Sequence, residues 1–186
     1  INGGTLQVDH ASALHTTGDI VFGGGALQYT ANNTVDYSSR IVNSSAAIKI
    51  DTNGQVVAFS TGLANTNTGG LTKQGAGTLS LNAVHNYSGA TTVEAGTLNG
   101  AGTLNSTVTV QSGASFSAGS STFVASGDGV GQMDVTGSMT WNAGATLVFD
   151  FAAATTPGNQ SAAGTNWDLL TVDSLTKGAG GPLTLQ

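Results

Sequence analysis

Cysteine is absent, lysine and arginine together number four, and proline appears only at 157 and 182. Each shortage removes a class of protein. Without thiols there is no disulfide framework and no thiolate metal site. Four dispersed cations, Arg40, Lys49, Lys73 and Lys177, cannot form the basic stripe that nucleic acid requires, nor hold the chain on anionic lipid. No apolar run approaches the roughly 20 residues of a membrane-spanning helix. Charged residues are 8% of 186, against about 25% in an ordinary soluble domain, and the net charge is −6. So little charge also fails the profile of disorder, which couples low hydrophobicity to high net charge. Nucleic acid and membrane insertion by this segment are therefore excluded as expectations.

Glycine is abundant instead, 28 residues, without the Gly-X-Y period of collagen. Short runs recur. Gly-Gly-Thr-Leu at 3–6 returns as Gly-Gly-Ala-Leu at 24–27, and Ala-Gly-Thr-Leu stands at 76–79, 95–98 and 101–104. Looser echoes lie at 113–116 and 144–147. Leu6 to Leu27, Leu79 to Leu98 and Leu98 to Phe116 are 21, 19 and 18 residues apart. A period near 20 predicts one solenoid turn of three short strands and three corners, which buries its apolar face only by stacking on its neighbours.

Alternation assigns the interior. Leu6 and Val8, Ile20 and Phe22, Leu27 and Tyr29, and Ile48 and Ile50 point inward in the first coils. Leu79, Leu81, Val93, Leu98, Val108, Val110 and Phe116 follow, then Met133, Val135, Leu147, Phe149, Phe151, Leu170 and Val172. At this period the chain supplies roughly nine coils, about 40 Å of rod at a strand spacing near 4.8 Å. Two polar segments, 60–70 and 152–166, are expected to protrude as loops. The whole of 1–186 reads as one continuous segment: N-terminal coils over 1–68, the best-defined repeat over 69–119, and C-terminal coils over 120–186. Ile1 opens directly into a strand-like pattern without an initiator Met or signal peptide, so a fragment of a longer repeat protein is expected.

The organising stretch is 69–98, GGLTKQGAGTLSLNAVHNYSGATTVEAGTL. Leu71-Thr72, Thr78 to Leu81, Thr91 to Val93 and Thr97-Leu98 are strand pieces, with Gly75, Gly77, Gly89 and Gly96 between them where a corner needs positive φ or close backbone approach. The order Gly70-Leu71-Thr72-Lys73, Gly75, Gly77-Thr78-Leu79, Leu81, Tyr87, Gly89, Thr91 or Thr92, Val93 and Gly96-Thr97-Leu98 closely resembles the passenger-associated transport repeat, the autotransporter-associated β-strand repeat of bacterial surface proteins. His85 stands where that pattern usually carries Asn, and Ala83 where Gly is common. The resemblance is strong over 69–119 and extends more loosely to the flanks. It implies an all-β, right-handed parallel β-helix exported to the cell surface, used mainly as the stalk of a larger passenger.

Residues with chemistry are scattered. His10 and His15, near Asp9 and Asp19, are five apart, which strand alternation places on opposite sides, so no zinc site is assigned. The run 126–134 echoes the Gly-Gly-x-Gly-x-Asp calcium nonapeptide once, without the tandem copies that motif needs. Carboxylates are dispersed singly; Asp128 with Asp134 and Asp168 with Asp173 are the nearest pairs for the two-carboxylate work of a glycoside hydrolase. Arg40, beside Asp36 and Tyr37, reads as a surface ion pair. Tyr29, Tyr37, Tyr87, Trp141 and Trp167 are the aromatics a sugar site could use, with Tyr87 and Trp141 better placed for packing. Thr107 and Thr109 alone do not make the ranked hydroxyl face that ice binding needs. The sequons at Asn32, Asn43, Asn86, Asn105 and Asn159 are expected by chance in this composition.

The expectation is a non-enzymatic stalk or fibre element with no catalytic, cofactor or metal residues. Its partners would be further repeats of the same chain or head-to-tail copies of itself. An adhesin binding glycans or surface ligands through loops is the alternative, and a β-helix polysaccharide lyase or hydrolase stands behind it.

Overall fold

A computed structural model describes residues 1–119, 131–149, 168–179 and 184–185. Two single strands open the chain, β1 (Thr5–Gln7) and β2 (Ala26–Gln28), followed by β3 (Ile48–Asp51) with β4 (Val56–Phe59). Strands then come three to a turn: β5 (Leu71–Gln74), β6 (Thr78–Leu81) and β7 (Val84–His85), then β8 (Thr91–Val93), β9 (Thr97–Gly100) and β10 (Thr103–Leu104). Next are β11 (Val108–Val110), β12 (Ser115–Ala118), the long β13 (Gln132–Trp141), β14 (Thr146–Val148), β15 (Leu169–Lys177) and β16 (Thr184–Leu185). The one helical element among the described residues is a 3-10 turn, Ser38–Arg40.

Every strand pair is parallel, and each strand pairs with its equivalent one turn later. One sheet runs β1-β2-β3-β5-β8-β11-β13, with β15 on the far edge of β13; another runs β4-β6-β9-β12-β14-β16. A third face, β7-β10-β13, joins the first because β13 spans both. Its pairing with β15 shifts register between Val135 and Ser138, where the strand turns from one face to the other. Among the described residues, parallel strands sharing no hairpins, with consecutive strands on different faces from β3 onward, form the pairing of a solenoid.

The register makes an interior column of Leu6, Leu27, Ile50, Lys73, Val93, Val110 and Trp141. A single apolar cluster runs from Val8 to Leu147, and full burial of each Leu, Ile or Phe contributes about 1.5–3 kcal/mol. The predicted interior holds with graded exceptions. Leu6, on the first strand, is 39% exposed; Phe149, Leu170 and Val172 are partly buried, and Phe151 lies outside the described residues. The period is not uniform. Column partners from Leu6 to Val93 lie 20–23 residues apart, but Trp141 follows Val110 by 31, because β13 covers two faces and residues 120–130 intervene.

Residues 60–70 form the expected strandless loop, with Ser60, Thr61, Ala64, Asn65, Thr66 and Thr68 exposed, but two of its side chains anchor it in the stack. Leu63 is fully buried, and so is Asn67, whose side chain accepts from Ser44 N–H and donates to the carbonyls of Ile41 and Ala64. An Asn that satisfies three main-chain groups replaces ladder bonds where no strand forms. The loop expected at 152–166 lies outside the described residues.

Glycine marks the corners for two separate reasons. Gly96 has φ +67°, and a Cβ there would stand 2.4 Å from the carbonyl oxygen of Gly77 in the preceding coil. Gly89 needs no positive φ, yet its Cβ would stand 2.4 Å from Gly70 N. At these two corners the coils stack so closely that a methyl group has no room.

Candidate functional site

The side chains that could carry chemistry are used to build the stack. At the repeat corner, Lys73 occupies an interior position between Ile50 and Val93, with 0% exposure. Its ammonium donates to the carbonyls of Gln74 (2.8 Å), Gly75 (2.7 Å) and, one coil on, Ala95 (3.0 Å). Three acceptors and three ammonium protons match one for one. Burial pulls its pKa down to about 8, against the opposing field of Asp51.

Across the coil, Tyr87 hydroxyl bonds Thr91 Oγ1 at 2.6 Å, which bonds Ser106 Oγ at 2.7 Å, all three buried. Thr91 is thus the inward residue of the Thr91-Thr92 pair. Burial raises the Tyr87 pKa to about 12, opposed by those two hydroxyls. His85 is buried against the Tyr87 ring edge, its Nδ1 accepting from Leu63 N–H at 3.2 Å and its Nε2 without a partner. Burial pushes its pKa down to about 4, against the field of Asp36.

Arg40 does not pair with Asp36. Its guanidinium donates to the carbonyls of His15, Thr17 and Gly18 and lies over the Tyr37 ring at 5.8 Å from the centroid. Asp36 accepts instead from Ser38 N–H and from both Ser60 N–H and hydroxyl. Lys49 likewise donates to a carbonyl, that of Gly24. In a chain so poor in charge, these cations cap main-chain oxygens at corners where the ladder leaves them open.

The candidates for metal and acid chemistry stay apart. His10 and His15 are exposed, His10 Nδ1 accepting from Ser12 N–H and His15 turning at φ 52°. Thr30 and Asn32 side chains hold the Asp9 carboxyl below its ordinary value. Among the described residues no three His, Cys, Asp or Glu converge as metal ligands. Asp134 bonds Gln132 and Thr171, and Asp168 accepts from Gly131 N–H. Asp128, with residues 126–130 of the calcium-like run, lies outside the described residues, as do Trp167 and Asn159. Tyr29, Tyr37, Tyr87 and Trp141 are all buried, Tyr29 stacking on Tyr37 and Trp141 donating Nε1–H to Ala145 O. None of these four offers the exposed ring a sugar site uses.

The outward surface of the first sheet carries ordered ranks that no local spacing displays. Thr72, Thr92, Thr109, Thr140 and Thr176 stand in one column, and Thr107 lines up with Ser138 and Ser174 beside it. On the other flank, Gln7 donates to Gln28 and Gln28 to Asp51, Gln74 to Glu94, and Asn142 to Gln111. At the third face Asn105 donates to Asn86 and accepts from Thr136, so two of the sequon asparagines belong to a side-chain ladder. Such in-register polar pairs add a few tenths to one kcal/mol each to strand pairing. Sequence reasoning missed them because partners lie 17 to 36 residues apart, at intervals that vary.

The sequence profile of the passenger-associated-transport-repeat matches residues 71–99. The chain is also similar to the adhesin BmaC autotransporter of Brucella suis biovar 1 (strain 1330), with 39% identity over 100 residues. That alignment covers 53% of this chain and 3% of the relative, so the chain corresponds to a small part of a much longer protein. No solved structure matches. The stretch from β5 to β9, with its buried lysine and hydroxyl chain, therefore carries a passenger-associated transport repeat.

Proposed function

We propose that this chain is a non-catalytic structural segment of a bacterial surface or secreted repeat protein, a right-handed three-strand β-helix of roughly nine coils that serves as a stiff spacer. The observation that carries this reading is the continuous parallel register from β1 to β15, in which polar and cationic side chains are spent on the stack itself. Right-handedness follows from the general preference, about 98%, of crossovers between parallel strands. The mechanism is mechanical: bending the rod breaks several ladders at once, and a surface with few charges offers proteases and partners little to grip. Export to the cell surface is supported by the transport repeat and by the autotransporter named as a relative. No described helix is long and apolar enough to cross a membrane.

The proposed partners are neighbouring coils, from the same chain or from a copy stacked head to tail. Among the described residues β1 pairs on one side only, and an unpaired edge beside the exposed Leu6 is a template for another strand. The spacer role is tested by placing one copy or two in tandem between a surface anchor and an epitope. A second copy should raise the epitope by about 40 Å; an unchanged height would refute the role.

A second reading rests on the relative's name, an adhesin. In that case loops would bind glycans, with Trp167, which follows the polar segment 152–166 in the sequence, as the contact. Glycan-array binding lost in Trp167→Ala would favour it, and an array without signal would end it. Turnover of acidic glycans is expected to be absent, with Asp→Asn variants as controls.

A further inference from the structure

Residues 60–69 cross from β4 to β5 without a strand, although the same passages in the next two coils carry β7 and β10. Some main-chain bonds remain, since Leu63 O accepts from Asn86 N–H and Asn67 O from Ser88 N–H. The N–H groups of the segment's first half are held differently, by side chains. From the preceding coil the Asp36 carboxylate accepts from Ser60 N–H at 2.8 Å and from the Ser60 hydroxyl, and Ser38 Oγ accepts from Thr61 N–H at 3.1 Å. From the following coil His85 Nδ1 accepts from Leu63 N–H at 3.2 Å. Two of these acceptors, on opposite sides of one four-residue stretch, answer to protonation: the Asp36 carboxylate becomes a weaker acceptor, and His85 Nδ1 ceases to accept. A protonated Nδ1 would point its hydrogen at the Leu63 N–H, donor against donor, in a buried site.

We propose that Asp36 and His85 form an acid-opened latch, whose protonation frees residues 60–63 from both neighbouring coils while the ladders elsewhere stay closed. Opening would uncover Leu63 and the β7 edge at Val84-His85, a short apolar strand edge able to pair with another chain.

The ionisable surroundings agree in sign. His85 feels the field of the Asp36 carboxylate two coils back, across residues 60–63, and meets the Tyr87 ring on its own coil; Tyr29 lies within electrostatic reach of Asp36 and Tyr37, and Arg40 sits over Tyr37. Of these groups, Asp36 and His85 are the two whose protonation changes an acceptor of the segment's N–H groups. Burial depresses His85 to about 4, so the opened segment binds a proton that the closed one excludes. Closure is therefore weakened as pH falls from about 6.5 toward 4. Burial raises Asp36, but hydrogen bonds from Ser38 and Ser60 outweigh it and leave the carboxyl below its ordinary value. Its share of the latch is lost at still lower pH.

Hydrogen exchange on the full chain, corrected for intrinsic rates, tests this. Between pH 7 and pH 4 the opening equilibrium over 60–67 should rise about a hundredfold. Peptides over 91–99 should stay protected. His85→Asn keeps an acceptor toward Leu63 without a titrating proton and should abolish the rise above pH 4; Asp36→Asn should leave that rise and remove the further loss below it. Unchanged protection at pH 4, simultaneous exposure of 60–67 and 91–99, or an undiminished response in His85→Asn would each overturn the latch.

Discussion

Lys73→Met isolates what the buried ammonium contributes. Methionine keeps most of the interior volume between Ile50 and Val93 and removes the ammonium from the carbonyls of Gln74, Gly75 and Ala95, of which Gln74 keeps the Thr52 N–H. Hydrogen bonds from a charged donor are worth about 1.5–3 kcal/mol each, so three supply roughly 4.5–9 kcal/mol. Holding an ammonium out of water offsets several kcal/mol of that sum, leaving a net loss of about 2–5 kcal/mol in the variant. For a chain of 186 residues this lowers Tm by about 4–20 °C. Urea unfolding followed by far-UV circular dichroism reads the difference directly. The pH dependence supplies an internal check. Burial holds Lys73 near 8, below its ordinary 10.5, so the unfolded chain binds more protons than the folded one between those values. Native stability should then rise as pH climbs through that window, and Lys73→Met should erase the rise. A variant within about 0.5 kcal/mol of the native chain would refute the cage as a source of stability.

Gly96→Ala forces φ +67° on a residue with a Cβ and drives that carbon into the Gly77 carbonyl, so it should lose at least about 2 kcal/mol by the same assay. Two tyrosines separate bonded from unbonded hydroxyls. Tyr87→Phe breaks the chain to Thr91 and Ser106 and should cost about 1 kcal/mol. Tyr29→Phe removes a buried hydroxyl that has no partner and should be neutral or stabilising by up to about 1 kcal/mol. Equal losses in both would show that the hydroxyl chain contributes nothing specific.

The solenoid was legible because alternation and corner glycines are local. Leu79, Leu81, Val93 and Leu98 alternate within a few residues of Gly77 and Gly96, and all four are buried. Lys73 was read as part of the repeat, but its inward position was not, because a lysine inside a strand ordinarily faces water and its three acceptors sit at two corners of two coils. The segment 60–70 was legible as a loop, but its two buried anchors were not, for a related reason. Its polar composition suits an exposed loop, while Asn67 and Leu63 owe their burial to Ile41, Ser44 and His85 in other coils. Arg40 looked like the partner of Asp36 four residues away, yet three carbonyls of the 15–18 turn lie in the previous coil and are invisible to local spacing. The threonine rank shows the same limit: Thr109 belongs with Thr92 and Thr140, not with Thr107 alone.

The stacking itself is most directly measured by a distance along one rank. The chain has no cysteine, so Gln7→Cys with Asn142→Cys places two spin labels and no others. Both positions lie in the polar rank that runs beside the interior column through Gln28, Asp51, Gln74, Glu94 and Gln111. Six strand steps of about 4.8 Å put the two backbones about 29 Å apart. Pulsed electron spin resonance should return a single narrow distribution near that value, broadened by the label tethers. A broad distribution, or a mean displaced by two or more strand steps, would contradict the parallel stack.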